Sequence, residues 1–197
     1  QDRKEWSTVD PLVLAAESQL QPGQLQMFVH NSDPKMAVIP NCLSAGEADT
    51  LVKHSQRLSN SETTPEEMEV LTTIQNRLAG IAGEPLEHLE NFFTAKYKPL
   101  AVPDGLSKTG DADYCKKFGG RIFFIFLGEV QESQGGELSF PRLGLQVRPR
   151  IGSAVFWTTL RKDGQRCLST AHQPQSINFG ELNYAIVTFG DSPPAIA

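Results

Sequence analysis

The segment Arg121–Leu127 reads Arg-Ile-Phe-Phe-Ile-Phe-Leu, a continuous apolar run that lies between glycine-containing stretches. A run of this length with turn residues on both sides is typical of a strand that is buried on both faces. Shorter candidate strands follow at residues 137–140, 145–148, 154–157 and 184–189, separated by Pro and Gly turns. Short strands at such regular spacing predict an antiparallel sandwich or jelly roll.

Two helices are predicted upstream of these strands. Ser44 precedes Glu47 by three residues, which is the spacing of a capping box, and apolar residues continue behind it at helical spacing. The second helix is predicted to begin at Thr64, with Thr64 as its N-cap, Pro65 at its first helical position and acidic residues in its first turn. Candidate strands at Gly23–His30, Lys35–Ile39 and 92–97 complete the elements.

Helices first and strands after predict an α+β fold whose helices pack on one sheet. The chain has 197 residues, which suits one domain with a short extension. We therefore expect an N-terminal extension over residues 1–34 and one domain over residues 35–192.

Charge and composition exclude some classes of partner. The net charge is -5 and the basic residues form no stripe, so nucleic acid is not expected as a partner. No apolar run approaches the ~20 residues that span a bilayer, so no membrane span is predicted. The chain begins without Met, as a mature or trimmed fragment would, which leaves the compartment open.

The three cysteines form no paired motif. Cys42 lies in an apolar run and is predicted to be a buried thiol. Cys115 and Cys167 both lie in polar, Gly-rich sequence, and whether they form a disulfide stays open.

Several motifs recur in one order along the strand half of the chain. They are the arginine-led strand from Arg121, Gly-Gly-Glu-Leu-Ser-Phe-Pro at 135–141, Leu-Gln-Val-Arg-Pro at 145–149, Gly-Ser-Ala-Val-Phe-Trp at 152–157 and Ser-Thr-Ala-His at 169–172. This order and spacing resemble the catalytic domain of prolyl 4-hydroxylases, which are 2-oxoglutarate/Fe(II) dioxygenases. The resemblance extends from Lys35 to Gly190. It implies a double-stranded β-helix (jelly-roll) core with the N-terminal helices packed outside it.

The resemblance also implies where the chemistry would lie. In that family two histidines and one carboxylate bind Fe(II), and a basic residue pairs with the distal carboxylate of 2-oxoglutarate. The first His-x-Asp follows a Tyr-x-Pro like Tyr97-Lys-Pro, which places Leu100 and Val102 at the two ligand positions. His172 matches the second histidine, and Leu182 stands at the position of the basic residue.

These replacements predict that the metal and 2-oxoglutarate sites are lost. Leucine and valine offer no donor atom to a metal ion. Unpaired polar groups facing a β-barrel interior would cost about 1–3 kcal/mol each, and aliphatic side chains remove that cost. The other histidines, His30, His54 and His88, all precede the ligand strand, and none is followed two residues later by Asp. We therefore expect no catalytic residue, no metal and no cofactor.

The sequence thus favours a non-catalytic prolyl 4-hydroxylase-like domain that acts as a protein-binding or scaffolding module. The alternative is an active dioxygenase of the peptidyl-proline hydroxylase type with unorthodox metal binding, which would need Fe(II) and 2-oxoglutarate. A protein partner is expected, while its identity and the oligomeric state stay open. The resemblance is compatible with a secretory or extracellular location.

Two regions are candidate partner surfaces. The first is the polar loop at residues 101–120, because binding residues are often carried by loops on a rigid scaffold. The second is a remnant of the former active-site cleft, formed by Asn91, Tyr97, Arg121 and Asn183 beside His172.

Overall fold

The computed structural model describes residues 6–57, 62–97, 120–131, 134–163, 165 and 168–194. Its helices are α1 (Pro11–Glu17), α2 (Ala45–Gln56) and α3 (Pro65–Ala82), with short 3-10 turns at Leu86–His88 and Leu168–Thr170. Its strands are β1 (Ser7–Val9), β2 (Phe28–Ser32), β3 (Lys35–Ile39), β4 (Leu89–Tyr97), β5 (Arg121–Phe126), β6 (Leu138–Phe140), β7 (Leu145–Val147), β8 (Ala154–Thr158), β9 (Gln173–Pro174) and β10 (Leu182–Phe189). The helices and strands of the domain therefore follow the order predicted from the sequence.

The described strands form two sheets. The larger sheet has the order β2-β3-β8-β5-β10-β4, and its neighbouring strands are all antiparallel. The smaller sheet has the order β1-β7-β6-β9, in which only the β1–β7 pair is parallel. Two facing sheets with helices outside one of them confirm the predicted α+β fold with a jelly-roll core.

The central strand β5 is buried on both faces. Phe124 and Phe126 belong to the core between the two sheets, with Trp157 of β8 and Phe140 of β6. Since successive side chains of a strand point to opposite faces, Phe123 points the other way. It packs in a second core between the larger sheet and the helices. Both faces of the strand need apolar residues, and this is why Arg121–Leu127 is a continuous apolar run.

Helices α2 and α3 cover the outer face of the larger sheet. Leu51 of α2 and Ile74 and Leu78 of α3 are fully buried in the second core. The capping box predicted at Ser44 is present, and the predicted N-cap Thr64 also forms a capping box, with Glu67. The local sequence signals at the two helix starts are therefore confirmed.

Of the predicted extension at residues 1–34, the described residues 6–34 contribute strands to both sheets. β1 pairs with β7, and β2 pairs with β3. The side chain of Asp10 caps α1 and forms two hydrogen bonds with Arg150, at 2.7 and 3.0 Å. The strand predicted at Gly23–His30 begins instead at Phe28, and α1 and β1 were not predicted.

Cys42 is a free and fully buried thiol, as expected. Burial raises its pKa to about 12, which keeps the thiol protonated. Cys115 and Cys167 lie outside the described residues. In the part of the chain that the structure describes, no helix is long and apolar enough to cross a membrane.

Glu47 joins the first capping box to the second helix. Its carboxylate accepts a hydrogen bond from the Ser44 amide at 2.8 Å and two from the Arg77 guanidinium of α3 at 2.7 Å. Arg77 also donates to the Cys42 carbonyl at 2.9 Å. Hydrogen bonding to Arg77 is the main reason that the pKa of Glu47 lies below its ordinary value.

We expect the substitution Glu47→Gln to lower the free energy of unfolding by about 1–2 kcal/mol at neutral pH, since it removes a charged partner of both the cap and Arg77. Because the folded-state pKa is depressed, the stabilisation by Glu47 is present above pH 4.5 and is lost as pH falls below it. Urea unfolding measured between neutral and acidic pH should therefore show wild type and variant converging in acid. Glu69→Gln, on the exposed side of α3, is the matched control and should leave the free energy of unfolding unchanged at neutral and at acidic pH. If Glu47→Gln lowered the free energy of unfolding by the same amount at every pH, the assigned role of Glu47 would be wrong.

Candidate functional site

His172 lies between the two sheets, immediately before β9. Its side chain is 7% exposed, and its ring centroid lies 4.4 Å from that of Trp157 and 5.8 Å from that of Phe140. The Nδ1 atom lies 3.1 Å from the carbonyl oxygen of Thr170. A carbonyl oxygen only accepts hydrogen bonds, so Nδ1 carries the proton and Nε2 keeps a lone pair. Burial lowers the pKa of His172 to about 4, and the imidazole is therefore neutral at physiological pH.

Leu182 opens β10 and points into the same core. It is 1% exposed and belongs to the cluster that also contains Phe124 and Trp157. The backbone of Leu182 pairs with that of Tyr97, the last residue of β4. The described residues around it are apolar, and a leucine side chain offers no charge to the carboxylate of a bound acid.

Asn91 also faces the space between the sheets. It lies opposite Thr188 of β10, and its Nδ2 atom donates to the Thr188 hydroxyl at 3.3 Å. Thr188 is fully buried. Asn91 thus links β4 to β10 inside the fold.

Arg121 and Asn183 lie on the opposite face of the larger sheet. Arg121 alternates with Ile122, which belongs to the core between the sheets, so its side chain projects outward. There it forms ion pairs with Glu84 at 2.7 Å and with Asp191 at 2.6 Å. Asn183 likewise lies between two inward-facing neighbours, Leu182 and Tyr184. These two side chains therefore do not share a cleft with His172.

Leu100 and Val102, the positions matched to the first two metal ligands, lie outside the described residues, as does nearly all of the loop at 101–120. Within the described ranges, no group of three or more His, Cys, Asp or Glu side chains is placed to hold a metal ion. His172, Leu182 and Asn91 all lie on the inner side of the larger sheet, but Leu182 and Asn91 are at opposite ends of the β4–β10 pair. Of the three, only His172 is of a residue type that ligates iron readily.

The sequence reasoning missed the two aromatic residues that enclose His172. Trp157 and Phe140 meet edge to face with their ring centroids 5.4 Å apart, and both are fully buried. The Nε1 atom of Trp157 is buried without a hydrogen-bond partner among the described residues. Alternation along Ala154–Thr158 was the available signal, since it places Trp157 on the same face as Val155.

No known protein family's sequence profile matches the chain. Prolyl 4-hydroxylase 13 of Arabidopsis thaliana is 25% identical to it over 179 residues, a match that covers 80% of this chain. The chain spans 63% of the length of that curated relative.

Solved structures resemble the fold over a similar range. The viral collagen prolyl hydroxylase of Paramecium bursaria Chlorella virus-1 superposes with a TM-score of 0.57 at 21% identity, covering 78% of this chain and 88% of the viral one. Its 2-oxoglutarate complex gives a TM-score of 0.55 at 22% identity, with coverages of 78% and 93%. A prolyl-4-hydroxylase of Pseudomonas putida gives 0.50 at 17% identity, with coverages of 79% and 87%. These likenesses establish the fold. Together with the Arabidopsis relative, they show that the chain is similar to prolyl 4-hydroxylases in sequence and in fold.

Proposed function

We propose that this chain is a non-catalytic relative of the prolyl 4-hydroxylase-like oxygenases, retained as a protein-binding or scaffolding module. The observation that carries the proposal is the environment of Leu182. It occupies the position that the family resemblance gives to the cation that anchors 2-oxoglutarate, and it is 1% exposed within an apolar core. An aliphatic side chain there gives the distal carboxylate of 2-oxoglutarate no partner.

The donor set does not fit the iron site of the family either. At the matched positions, Leu100 and Val102 contribute no donor atom, and only His172 remains. A single imidazole enclosed by Trp157 and Phe140 lacks the second histidine and the carboxylate that complete a facial triad. We therefore derive no reaction step through iron.

The replacements are also favourable for a fold that carries no metal. An unpaired lysine at position 182 would place a charge in the core, at a cost of several kcal/mol. A buried leucine instead contributes about 1.5–3 kcal/mol through the hydrophobic effect. At position 182, a side chain that stabilises the jelly roll thus stands where the resemblance implies a cation.

A rigid scaffold without this chemistry is suited to presenting a binding surface. Loops that are held by such a scaffold commonly carry the contacts to a partner. The segment at residues 101–120, predicted from the sequence to be a loop, is rich in polar and charged residues and is long enough to contact another protein. We assign the partner surface to this loop.

We expect His172 to stay neutral throughout the physiological pH range. In an NMR titration, its ring resonances should not shift between pH 8 and 5 and should move only as pH approaches 4. The imidazole resonances of His172 are assigned as those that disappear from the spectrum of the His172→Gln variant. They should remain in the spectrum of His54→Gln, which is the matched control. A titration midpoint of His172 near pH 6.5 would show that its ring is not enclosed as described.

The same burial predicts how stability depends on pH. The folded-state pKa of His172 is depressed below its ordinary value of 6.5. The contribution of the neutral imidazole to the free energy of unfolding is therefore complete above pH 6.5. The contribution declines as pH falls from 6.5 toward 4, by at most about 1.4 kcal/mol per pH unit. The slope of the unfolding free energy over this range should therefore be smaller in His172→Gln than in wild type or His54→Gln.

We expect the chain to bind neither Fe(II) nor Mn(II) stoichiometrically and to form no succinate from 2-oxoglutarate. Calorimetric titration with Mn(II) and a succinate assay with Fe(II) and ascorbate measure the two properties. Metal binding at micromolar affinity, or succinate formation that His172→Ala abolishes, would establish the alternative of an active dioxygenase.

A gain-of-function variant checks the assigned positions. Leu100→His with Val102→Asp should create Mn(II) binding that His172→Ala removes, since three ligands are then available. Leu100→Ala with Val102→Ala is the matched control and should bind no metal. Thermal unfolding of each variant verifies that the domain is folded. If the double substitution produces folded protein without metal affinity, the assignment of Leu100 and Val102 is wrong.

The partner surface is tested by replacing residues 104–113 with a Gly-Ser segment of equal length. We expect crosslinking to a partner to be lost, while the unfolding temperature stays within a few degrees of wild type, because the replaced residues are predicted to lie in a loop. Lys53→Ala, on the exposed side of α2, is the control and should retain the crosslink. Retention by the loop variant would place the surface elsewhere, and absence of any saturable crosslink would contradict a binding role.

A further inference from the structure

A cleft of about 440 Å³ opens on the outer face of the larger sheet, where β3, β5 and β8 meet. Lys35 and Thr158 on its floor alternate with Met36 and Trp157, which belong to the core between the sheets. The cleft therefore lies on the opposite face of the sheet from His172. Its volume falls in the range of small-molecule sites, about 300–1,000 Å³.

The lining is basic although the chain as a whole is acidic. It contains four basic and two acidic residues, namely Lys35, Arg121, Arg161, Lys162, Asp33 and Asp191. The lining thus carries a formal charge of 4 - 2 = +2, against -5 for the whole chain. A concave surface of one sign concentrates counter-ions of the other sign.

The two lysines carry positive charges that no described carboxylate pairs with. Arg121 is already paired with Glu84 and Asp191. Neither Lys35 nor Lys162 forms an ion pair with a carboxylate in the described part of the chain. Lys35 is half-buried at the floor, and its Nζ atom lies 5.9 Å from the centroid of the Phe156 ring. It is therefore held close to the sheet and not extended into solvent.

The acidic residues of the lining are engaged by protein groups. Asp191 accepts a hydrogen bond from Arg121 at 2.6 Å. Asp33 accepts one from the backbone amide of Lys162 at 2.9 Å, which joins the turn before β3 to the turn after β8. These contacts fix the two walls of the cleft, and in the described part of the chain neither carboxylate forms an ion pair with the ammonium group of Lys35 or Lys162. The Thr158 hydroxyl already accepts from the Lys35 amide and donates to the Leu160 carbonyl.

We propose that this cleft binds a small phosphate-bearing molecule, independently of what became of the former iron site. Lysine acts toward phosphate as a compact point charge with three donors that rotate freely, and separated lysines can contact different oxygens of one phosphate group. A planar carboxylate is matched best by an arginine fork. The Arg121 fork in this cleft is already occupied by Glu84 and Asp191.

Inorganic pyrophosphate is the probe for this site, with succinate as the dicarboxylate comparison. In two-dimensional amide NMR spectra of the full chain, we expect saturable pyrophosphate shifts confined to residues 32–35 and 158–163. Lys35→Gln with Lys162→Gln should weaken the affinity at least about tenfold, since each removes a charge-assisted contact. The affinity should also fall as salt is raised.

Lys53→Gln with Lys96→Gln is the matched control, because it removes the same charge from exposed lysines that pair with Asp49 and Glu181. It should leave the affinity unchanged. Lys162→Gln alone, in an exposed turn, keeps the test decisive if the Lys35 variant does not fold. Equal weakening by both double variants, succinate binding as tight as pyrophosphate, or the absence of saturable shifts would each overturn the proposal.

Discussion

Burial of β5 on both of its faces is the constraint on which the rest of the structure depends. One face packs on the smaller sheet through Phe124 and Phe126, and the other packs on the helices through Phe123 and Ile125. A strand in this position has no solvent side, so every neighbouring strand must also present one face to each core. The helices and the smaller sheet are needed together, since either one alone would leave a row of phenylalanine rings in water.

The same constraint makes it harder to predict from the sequence which side chains face the candidate site. In a half-exposed strand, alternation of polar and apolar residues shows which side chains point inward. Both faces of β5 are apolar, so its sequence does not reveal on which face Arg121 lies. Asn183, at the start of the equally apolar β10, is ambiguous for the same reason. Their separation from His172 became apparent only from the register, which pairs Ile122 with Trp157 and Tyr97 with Leu182.

Local signals predicted more of the fold than long-range ones. The capping boxes at Ser44 and Thr64 need only residues within one helical turn, and both helices begin where the sequence placed them. β1 has three residues and is stabilised by pairing with β7 at Leu145–Val147, which no local pattern encodes. The aromatic enclosure of His172 depends likewise on residues from three separate segments. The sequence shows the types of these residues, but it does not show which of them lie close together in the fold.

A surviving histidine is weak evidence for a surviving metal site. The neutral imidazole of His172 donates to the Thr170 carbonyl and packs on two aromatic rings, so most of its polar and apolar surface is accommodated by the protein. A buried polar residue persists without a metal when its hydrogen bonds are satisfied. Iron and 2-oxoglutarate would have to be held by companions of complementary charge, and Leu182, at the position that the family resemblance matches to a cation, lies in an apolar cluster. The histidine alone therefore does not indicate a metal site, because a neutral imidazole whose hydrogen bond is made can also lie in a core.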